Sequence, residues 1–326
     1  MLVAEGLYSY NINSGDFMSE IRYFNSQLNN SFKKRSSTKV NFRDQVDVFL
    51  KSSMIKSSNF RQALIIGAGK MDDFSLAFFI KYMDKVVISD VDIETTKKAV
   101  DALKLKKSER QKIVLREIEY TGFQFGGFFI EFSRDVLKLK THDEIDSFIN
   151  GKLEPIKKYQ FLEYDVGKYD FIYISPIYTQ LVYNQLMMEC SLIRQSGYPE
   201  HLIKYIEQVM LEEMIGVIDR FNDNVVRLMS DKARLFVLSD VFEVNVGSDF
   251  DLRIMSGIKN KEVMDKIYQS YSKQYGMGLG DYGLYNLDEK MEENLTKWLV
   301  WPFKEETNLI VKLKNYIKKE IILEEV

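Results

Sequence analysis

The chain has 326 residues, a length that suggests about two domains or one domain with large insertions. Apolar residues make up 45% of it and charged residues 29%, which is typical of a folded globular protein and excludes disordered and low-complexity classes. The 45 basic residues against 48 acidic ones give a net charge of −3. No overall positive field therefore favours a nucleic-acid partner.

The chain offers few ligands for transition metals. Its single cysteine, Cys190, cannot close an internal disulfide, and its two histidines are too few and too far apart for a zinc cluster. We therefore expect no metal site. The first residues lack a basic stretch followed by an apolar one, and no uninterrupted run reaches the about 18 apolar residues of a membrane span. We expect a cytoplasmic protein without membrane contact.

The first 60 residues are predicted to form an N-terminal helical cap, because apolar residues recur at spacings of three and four behind a capping stretch at residues 14–16. The pattern changes at residue 63, where a short apolar run predicts a strand buried on both faces. Gly67, Ala68 and Gly69 then predict a turn, and Asp72 and Asp73 are suited to cap the helix that follows. A second strand is predicted over residues 86–88.

Later apolar runs predict further strands at residues 113–115, 169–174 and 235–238, the last ending at Asp240. Helical spacing separates these strands, so the alternation predicts an α/β protein with a doubly wound, mostly parallel sheet. Residues 123–165 and 241–297 are interpreted as insertions, with a hairpin or strand predicted over residues 123–129. The tail from Trp298 to Tyr316 predicts an edge hairpin.

The turn after the first strand has the composition of a cofactor site. Glycines let a ligand touch the backbone, and an acid about 20 residues beyond them can accept hydrogen bonds from both ribose hydroxyls of a nucleoside. Asp90 stands at that distance, with Asp92 as the alternative. A dinucleotide motif would need glycine where Asp72 stands, and Asp72 and Asp73 would repel a pyrophosphate. The residues favour S-adenosylmethionine, which carries an ammonium and a sulfonium and no phosphate.

Over residues 60–240 the chain resembles the class I S-adenosylmethionine-dependent methyltransferases. Residues 65–69 are similar to the family's first motif, residues 88–92 to its ribose-binding strand end, and residues 169–176 to its fourth motif beside the transferred methyl group. The resemblance implies a Rossmann-like domain over residues 61–326. It also implies a set of cofactor-binding residues: Gly67, Ala68, Gly69, Asp72, Asp90, Val91, Asp92, Glu119, Tyr120 and Ser175. Glu119 or Tyr120 would meet the adenine amino group, with Asp165 as a competing candidate. Ile65 departs from the family, whose members often carry there the acid that anchors the methionine amino group.

Residues 175–178 (Ser-Pro-Ile-Tyr) are similar to the motif of amino-group methyltransferases, in which a polar side chain holds the target nitrogen and an aromatic ring stacks on it. The resemblance makes Ser175 and Tyr178 the candidate catalytic residues, although the motif's second proline is absent. The alternative interpretation is a strand end followed by a loop proline. A second glycine pattern, at residues 278–283, follows a helix-like stretch and no strand, so it predicts a loop or lid.

The leading hypothesis is a methyltransferase in which positioning in a dry pocket supplies most of the rate, with a small-molecule acceptor preferred. Three alternatives stay open: transfer of the aminopropyl or carboxypropyl arm of the same cofactor, a non-catalytic nucleoside-binding regulatory protein, and an NAD-dependent oxidoreductase. Neither the acceptor, nor a general base, nor the oligomeric state follows from the residues.

Overall fold

The computed structural model describes residues 20–31, 38–54, 60–304 and 306–319. Within these ranges seven strands form one sheet, and helices cover both of its faces. The strands are β1 (Gln62–Ile66), β2 (Lys85–Asp90), β3 (Ile113–Glu117), β4 (Tyr169–Ile174), β5 (Met229–Asn245), β6 (Met291–Lys304) and β7 (Thr307–Lys318). The helices are α1 (Glu20–Ser31), α2 (Thr38–Met54), α3 (Leu76–Tyr82), α4 (Ile93–Asp101), α5 (Lys107–Arg110), α6 (Phe128–Asp135), α7 (His142–Leu153), α8 (Tyr183–Gln195), α9 (Glu200–Leu228), α10 (Asp249–Gly257), α11 (Lys261–Tyr275) and α12 (Leu279–Lys290).

The strand order is β3-β2-β1-β4-β5-β7-β6. The first five strands are parallel, whereas β7 runs antiparallel between β5 and β6. This arrangement confirms the predicted doubly wound, mostly parallel sheet. Within the sheet, the chain passes first through β1 and then outward through β2 to β3. It returns to β4 on the other side of β1. Between β1 and β4 lies the switch point, where open parallel sheets bind ligands at the carboxyl ends of their strands.

Each central strand is buried on both faces, which explains its continuous apolar run. In β1, Leu64 and Ile66 pack into the cluster beneath α6 to α9 and α12, while Ala63 and Ile65 face the cluster beneath α2, α3 and α4. All four are 0% exposed. Ile65, at the place of the family's acid, is therefore a core residue.

β5 continues past the predicted end at Asp240, which corrects that boundary. Its parallel pairing with β4 stops at Val237, but its antiparallel pairing with β7 runs on to Asn245. The predicted tail hairpin is present as β6 and β7, and it extends beyond the predicted range of Trp298 to Tyr316 at both ends. Together the three strands project past the carboxyl edge of the parallel sheet, and α10 and α11 pack on the projection.

The glycine pattern at residues 278–283 forms the start of α12, so the prediction of a loop or lid there was wrong. A Cβ on Gly280 would lie 2.1 Å from the carbonyl oxygen of Asp240, and a Cβ on Gly283 would lie 2.5 Å from the ring of Tyr178. These glycines let the helix approach the sheet closely.

Two other local predictions were also wrong. Residues 123–127 form turns that lead into α6, and residues 128 and 129 are the first two of that helix. Phe123, Phe128 and Phe129 all pack into the core without forming a strand. Asp72 and Asp73 do not cap α3, which begins at Leu76 after the N-cap residue Ser75. The predicted capping stretch at residues 14–16 lies outside the described residues. None of the helices in the described ranges is long and apolar enough to cross a membrane.

Candidate active site

A cavity of about 140 Å³ lies at the switch point, at the carboxyl ends of β1, β2 and β4 and beside the segment after β3. α1 and the end of β6 complete its wall. The structure places nine of the sequence-predicted site residues on this wall: Gly67, Ala68, Gly69, Asp72, Asp90, Val91, Glu119, Tyr120 and Ser175. Residues separated by more than 100 positions in the chain thus meet in one space.

The glycine turn has the backbone conformation that its composition predicted. Gly67 and Gly69 have φ of +72° and +46°, in the left-handed region that side chains disfavour. At Gly67 a Cβ would lie only 2.2 Å from Cγ2 of Ile177. At Gly69 the nearest atom is Oδ1 of Asn29, 3.8 Å from the position of a Cβ, so glycine is required there for its conformation and not for space.

Asp90 organises this turn from the end of β2. Its Oδ2 accepts a 2.7 Å hydrogen bond from the backbone N–H of Gly69, and its Oδ1 accepts one of 2.8 Å from that of Asp92. Burial raises the pKa of Asp90 to about 6, opposed by these two hydrogen bonds. A carboxylate has about four lone-pair sites, so Asp90 retains acceptor capacity toward the cavity.

Asp92, the alternative ribose acceptor, is outside the cavity wall. It caps α4, since its side chain accepts from the backbone N–H of Thr95, and it also accepts a 2.9 Å bond from Nδ2 of Asn29. Tyr178 is also outside the wall. Its buried hydroxyl donates to Oδ1 of Asn222 at 2.9 Å, in the contact between α9 and α12.

Glu119 and Tyr120 line the cavity at the end of β3. The Glu119 carboxylate accepts from the backbone N–H groups of Thr121 and Gly122, each at 2.6 Å, and burial raises its pKa. The Tyr120 hydroxyl accepts from the backbone N–H of Gly67 and donates to Oγ of Ser89. Tyr120 therefore supports the glycine turn from below. The competing candidate Asp165 is paired with Arg116 at 2.8 Å and does not line the cavity.

On the β4 side the cavity wall contains Asp73 and Ser175. Asp73 is 4% exposed and accepts a 3.0 Å hydrogen bond from the Tyr173 hydroxyl. Burial raises the pKa of Asp73 to about 6, opposed by the nearby hydroxyls of Ser175 and Tyr173. The Ser175 hydroxyl itself is buried and makes no hydrogen bond of normal geometry within the described residues.

α1 and β6 contribute residues that sequence reasoning did not assign to the site. Asn25 and Asn29 of α1 line the cavity, and an Arg22–Glu117 ion pair of 3.2 Å helps to hold this helix over the end of β3. Nothing in the spacing of α1 indicates such a position. Trp301 also lines the cavity, and its ring stacks on that of Phe42 with 5.5 Å between the ring centroids.

The cavity wall is acidic. Four carboxylates, Asp72, Asp73, Asp90 and Glu119, face a single lysine, Lys70, among the described residues that line it. The Lys70 ammonium donates to the backbone carbonyl of Asn29. Within the described part of the chain, neither Asp73 nor Asp90 forms an ion pair with a lysine or arginine. Such a wall attracts a cation and repels phosphate groups.

No family model matches the chain, and a search of curated proteins found no relative. Among solved structures, it is similar to the N-methyltransferase NodS from Bradyrhizobium japonicum WM9, with 13% identity, coverage of 84% of this chain and 97% of that chain, and a TM-score of 0.37. It is also similar to a SAM-dependent methyltransferase from Aquifex aeolicus, with 9% identity, 90% and 97% coverage and a TM-score of 0.35. The PH0226 protein from Pyrococcus horikoshii OT3 gives 9% identity, 90% and 99% coverage and a TM-score of 0.41.

Two of these three structures are methyltransferases by name. At these identities and TM-scores they assign neither activity nor substrate to this chain.

Proposed function

We propose that the chain is a class I methyltransferase that binds S-adenosylmethionine in the acidic cavity and transfers its methyl group to a small molecule. The observation that carries the proposal is a left-handed glycine turn, tied to the carboxylate of Asp90, at the switch point of a doubly wound sheet. The acidic wall distinguishes this cofactor from a dinucleotide, because a sulfonium and an ammonium suit it and a pyrophosphate does not.

Different segments of the cavity wall bind different parts of the cofactor. The turn at Gly67 and Gly69 presents backbone to the cofactor, Asp90 accepts from its ribose, and the segment at Glu119 meets its base. The cofactor supplies an activated methyl group, so the protein needs to hold an acceptor in line and exclude water. Ser175 at the end of β4 lies where the acceptor would be held, and Ile177 and Trp301 make that part of the wall apolar.

Tyr178 has no part in the proposed site, since its hydroxyl is engaged by Asn222. The amino-group motif therefore does not identify the target atom as nitrogen. We further propose that residues 1–60 form a helical cap on a cofactor-binding domain of residues 61–326, with insertions at about residues 123–165 and between β5 and β6. We also propose that the protein acts in the cytoplasm.

Calorimetric titration with S-adenosylmethionine, S-adenosylhomocysteine and NAD tests the proposal. We expect both sulfur nucleosides to bind and NAD not to. Asp90→Asn should weaken binding by about 10- to 100-fold, because a hydrogen bond to a charged group contributes about 1.5–3 kcal/mol.

Asp170→Asn is the matched control. Asp170 also accepts two backbone N–H bonds, from Arg61 and Gln62 at 3.0 and 3.2 Å, but it lies at the amino end of β4. Affinity should be unchanged in this variant. Binding of NAD alone, or equal losses in the two variants, would contradict the proposed site.

A further inference from the structure

The proposed cofactor carries an ammonium group on its amino-acid arm, and the residue that would anchor it is missing from β1. Ile65 stands there and is 0% exposed within the core beneath α2 and α3. A main-chain carbonyl or a different carboxylate must then meet the ammonium. Four carboxylates line the cavity, and their surroundings differ enough to separate them.

Two of the four hold backbone donors with both of their oxygens, although each keeps further lone pairs. Both oxygens of Asp90 accept backbone N–H bonds, and so do both oxygens of Glu119. These bonds fix the turn after β1 and the segment after β3. Both residues also lie on the β2 and β3 side of the switch point, which is the side proposed for the ribose and the base.

Asp72 and Asp73 remain, on the β1 and β4 side. Asp72 is only half-buried, so water screens part of its charge, although its Oδ1 is buried. Asp73 is 4% exposed, and the Tyr173 hydroxyl fixes its carboxylate against β4. A buried carboxylate without a cationic partner interacts strongly with a cation that reaches it.

We propose that Asp73, held by Tyr173 and adjacent to Ser175, is the anchor for the ammonium group of the cofactor's amino-acid arm, in place of the acid absent at Ile65. The inference rests on the proposed function. In this arrangement the anchor reaches the cavity from the turn before α3 and not from β1. Asp73 is then a specificity-determining residue that distinguishes the complete cofactor from nucleosides without the arm.

Three ligands separate this role from a merely structural one. S-adenosylhomocysteine has the whole arm, its deaminated analogue keeps the carboxylate but lacks the ammonium, and 5′-methylthioadenosine lacks the arm. In the native protein, removal of the ammonium should lower affinity by about 10- to 100-fold, as for other charge-assisted hydrogen bonds. Asp73→Asn should lower the affinity for S-adenosylhomocysteine by a similar factor and leave 5′-methylthioadenosine within twofold.

Asp73→Asn should also bind S-adenosylhomocysteine and its deaminated analogue about equally, since the two changes remove the same interaction. Tyr173→Phe should show the same selectivity with a smaller loss, because it removes only the hydroxyl that positions Asp73. Asp72→Asn is the neighbouring control and should retain the discrimination. Circular dichroism of each variant verifies folding, and binding of 5′-methylthioadenosine verifies an intact nucleoside site.

The outcomes distinguish the two proposals. If the native protein binds none of the three ligands, the proposed function itself fails. If it binds them but Asp73→Asn weakens all three equally or none of them, the anchor is elsewhere while the function stands. The inference would also be overturned if Asp72→Asn, and not Asp73→Asn, lost the discrimination between S-adenosylhomocysteine and its deaminated analogue.

Discussion

The ionisation of Asp73 should make the stability of the ligand-free protein depend on pH. Burial raises the pKa of this carboxyl from its ordinary value of 3.8 to about 6 in the folded protein. A raised folded pKa means that the folded state holds the proton more tightly than the unfolded chain. Ionisation of Asp73 therefore lowers the free energy of unfolding. This loss is absent below about pH 4, grows between pH 4 and 6, and is complete above the folded pKa.

The size of this loss follows from the two pKa values. Each unit corresponds to about 1.36 kcal/mol, so ionised Asp73 costs the folded state about 3 kcal/mol at pH 7.5. About half of that cost is already present at pH 5, because the unfolded carboxyl is ionised there and the folded one is not. Asp73→Asn carries no charge at either pH. Its stability relative to the native protein should therefore rise by about 1–2 kcal/mol from pH 5 to pH 7.5.

Urea unfolding at the two pH values, at one ionic strength, measures this difference, and any pH-independent effect of the amide cancels. Asp135→Asn is the control, because Arg134 and Lys138 hold the pKa of the half-buried Asp135 well below its usual range. Asp135 changes its protonation below pH 5 in both the folded and the unfolded state. The difference in unfolding free energy between Asp135→Asn and the native protein should therefore be the same at pH 5 and pH 7.5. If the unfolding free energy of Asp73→Asn relative to the native protein were also the same at both pH values, burial would not raise the pKa of Asp73 as argued.

Three further substitutions test the packing around the site and the sheet. Gly67→Ala should abolish binding of S-adenosylhomocysteine in a calorimetric titration, because its Cβ would lie 2.2 Å from a side-chain carbon; the control Gly127→Ala, also at positive φ but with open space around it, should retain binding. Gly280→Ala should lower the thermal midpoint strongly, since its Cβ would lie 2.1 Å from a β5 carbonyl oxygen, and an unchanged midpoint would contradict this close packing. Lys312→Met should destabilise the protein by about 3–5 kcal/mol in urea unfolding, because it leaves Asp281 buried without its partner at 2.9 Å; a loss below 1 kcal/mol would show that this pair is well solvated.

The parallel part of the fold was predictable because its signals are local. Each central strand is a short apolar run that ends in a turn, and the first strand ends in glycines whose positive φ no other residue adopts easily. The spacing from Gly69 to Asp90 was sufficient to bring these two residues together, at 2.7 Å. A strand–turn–helix–strand unit fixes such a pair with few residues between them.

Other features depend on partners far away in the chain. β5 extends past Asp240 only because β7, more than 60 residues later, pairs with it. The glycines at residues 278–283 predicted a loop or lid but allow α12 to pack closely against β5 and Tyr178, and only those neighbouring surfaces reveal this use. Asn29 of α1 and Trp301 of β6 enter the cavity wall for the same reason.

The position of Asp73 in the turn before α3 also depends on a residue distant in the sequence. The sequence suggested a helix cap at Asp72 and Asp73, because acids before a helix commonly cap it. The turn continues to Ser75 instead, with Met71 at φ of +55°, and this rotation leaves Asp73 under the cavity against Tyr173. A hydroxyl 100 positions later thus determines what the carboxylate does.

The acidic wall connects stability with the proposed activity. Burial disfavours the charged forms of Asp73, Asp90 and Glu119, which lowers the stability of the fold at neutral pH. Hydrogen bonds from backbone and hydroxyl groups compensate part of this effect, and those groups carry no positive charge. A ligand that brings an ammonium and a sulfonium would supply the missing charge, whereas a dinucleotide would add to the repulsion. The buried carboxylates that lower the stability of the fold are therefore the groups that would select a cationic nucleoside.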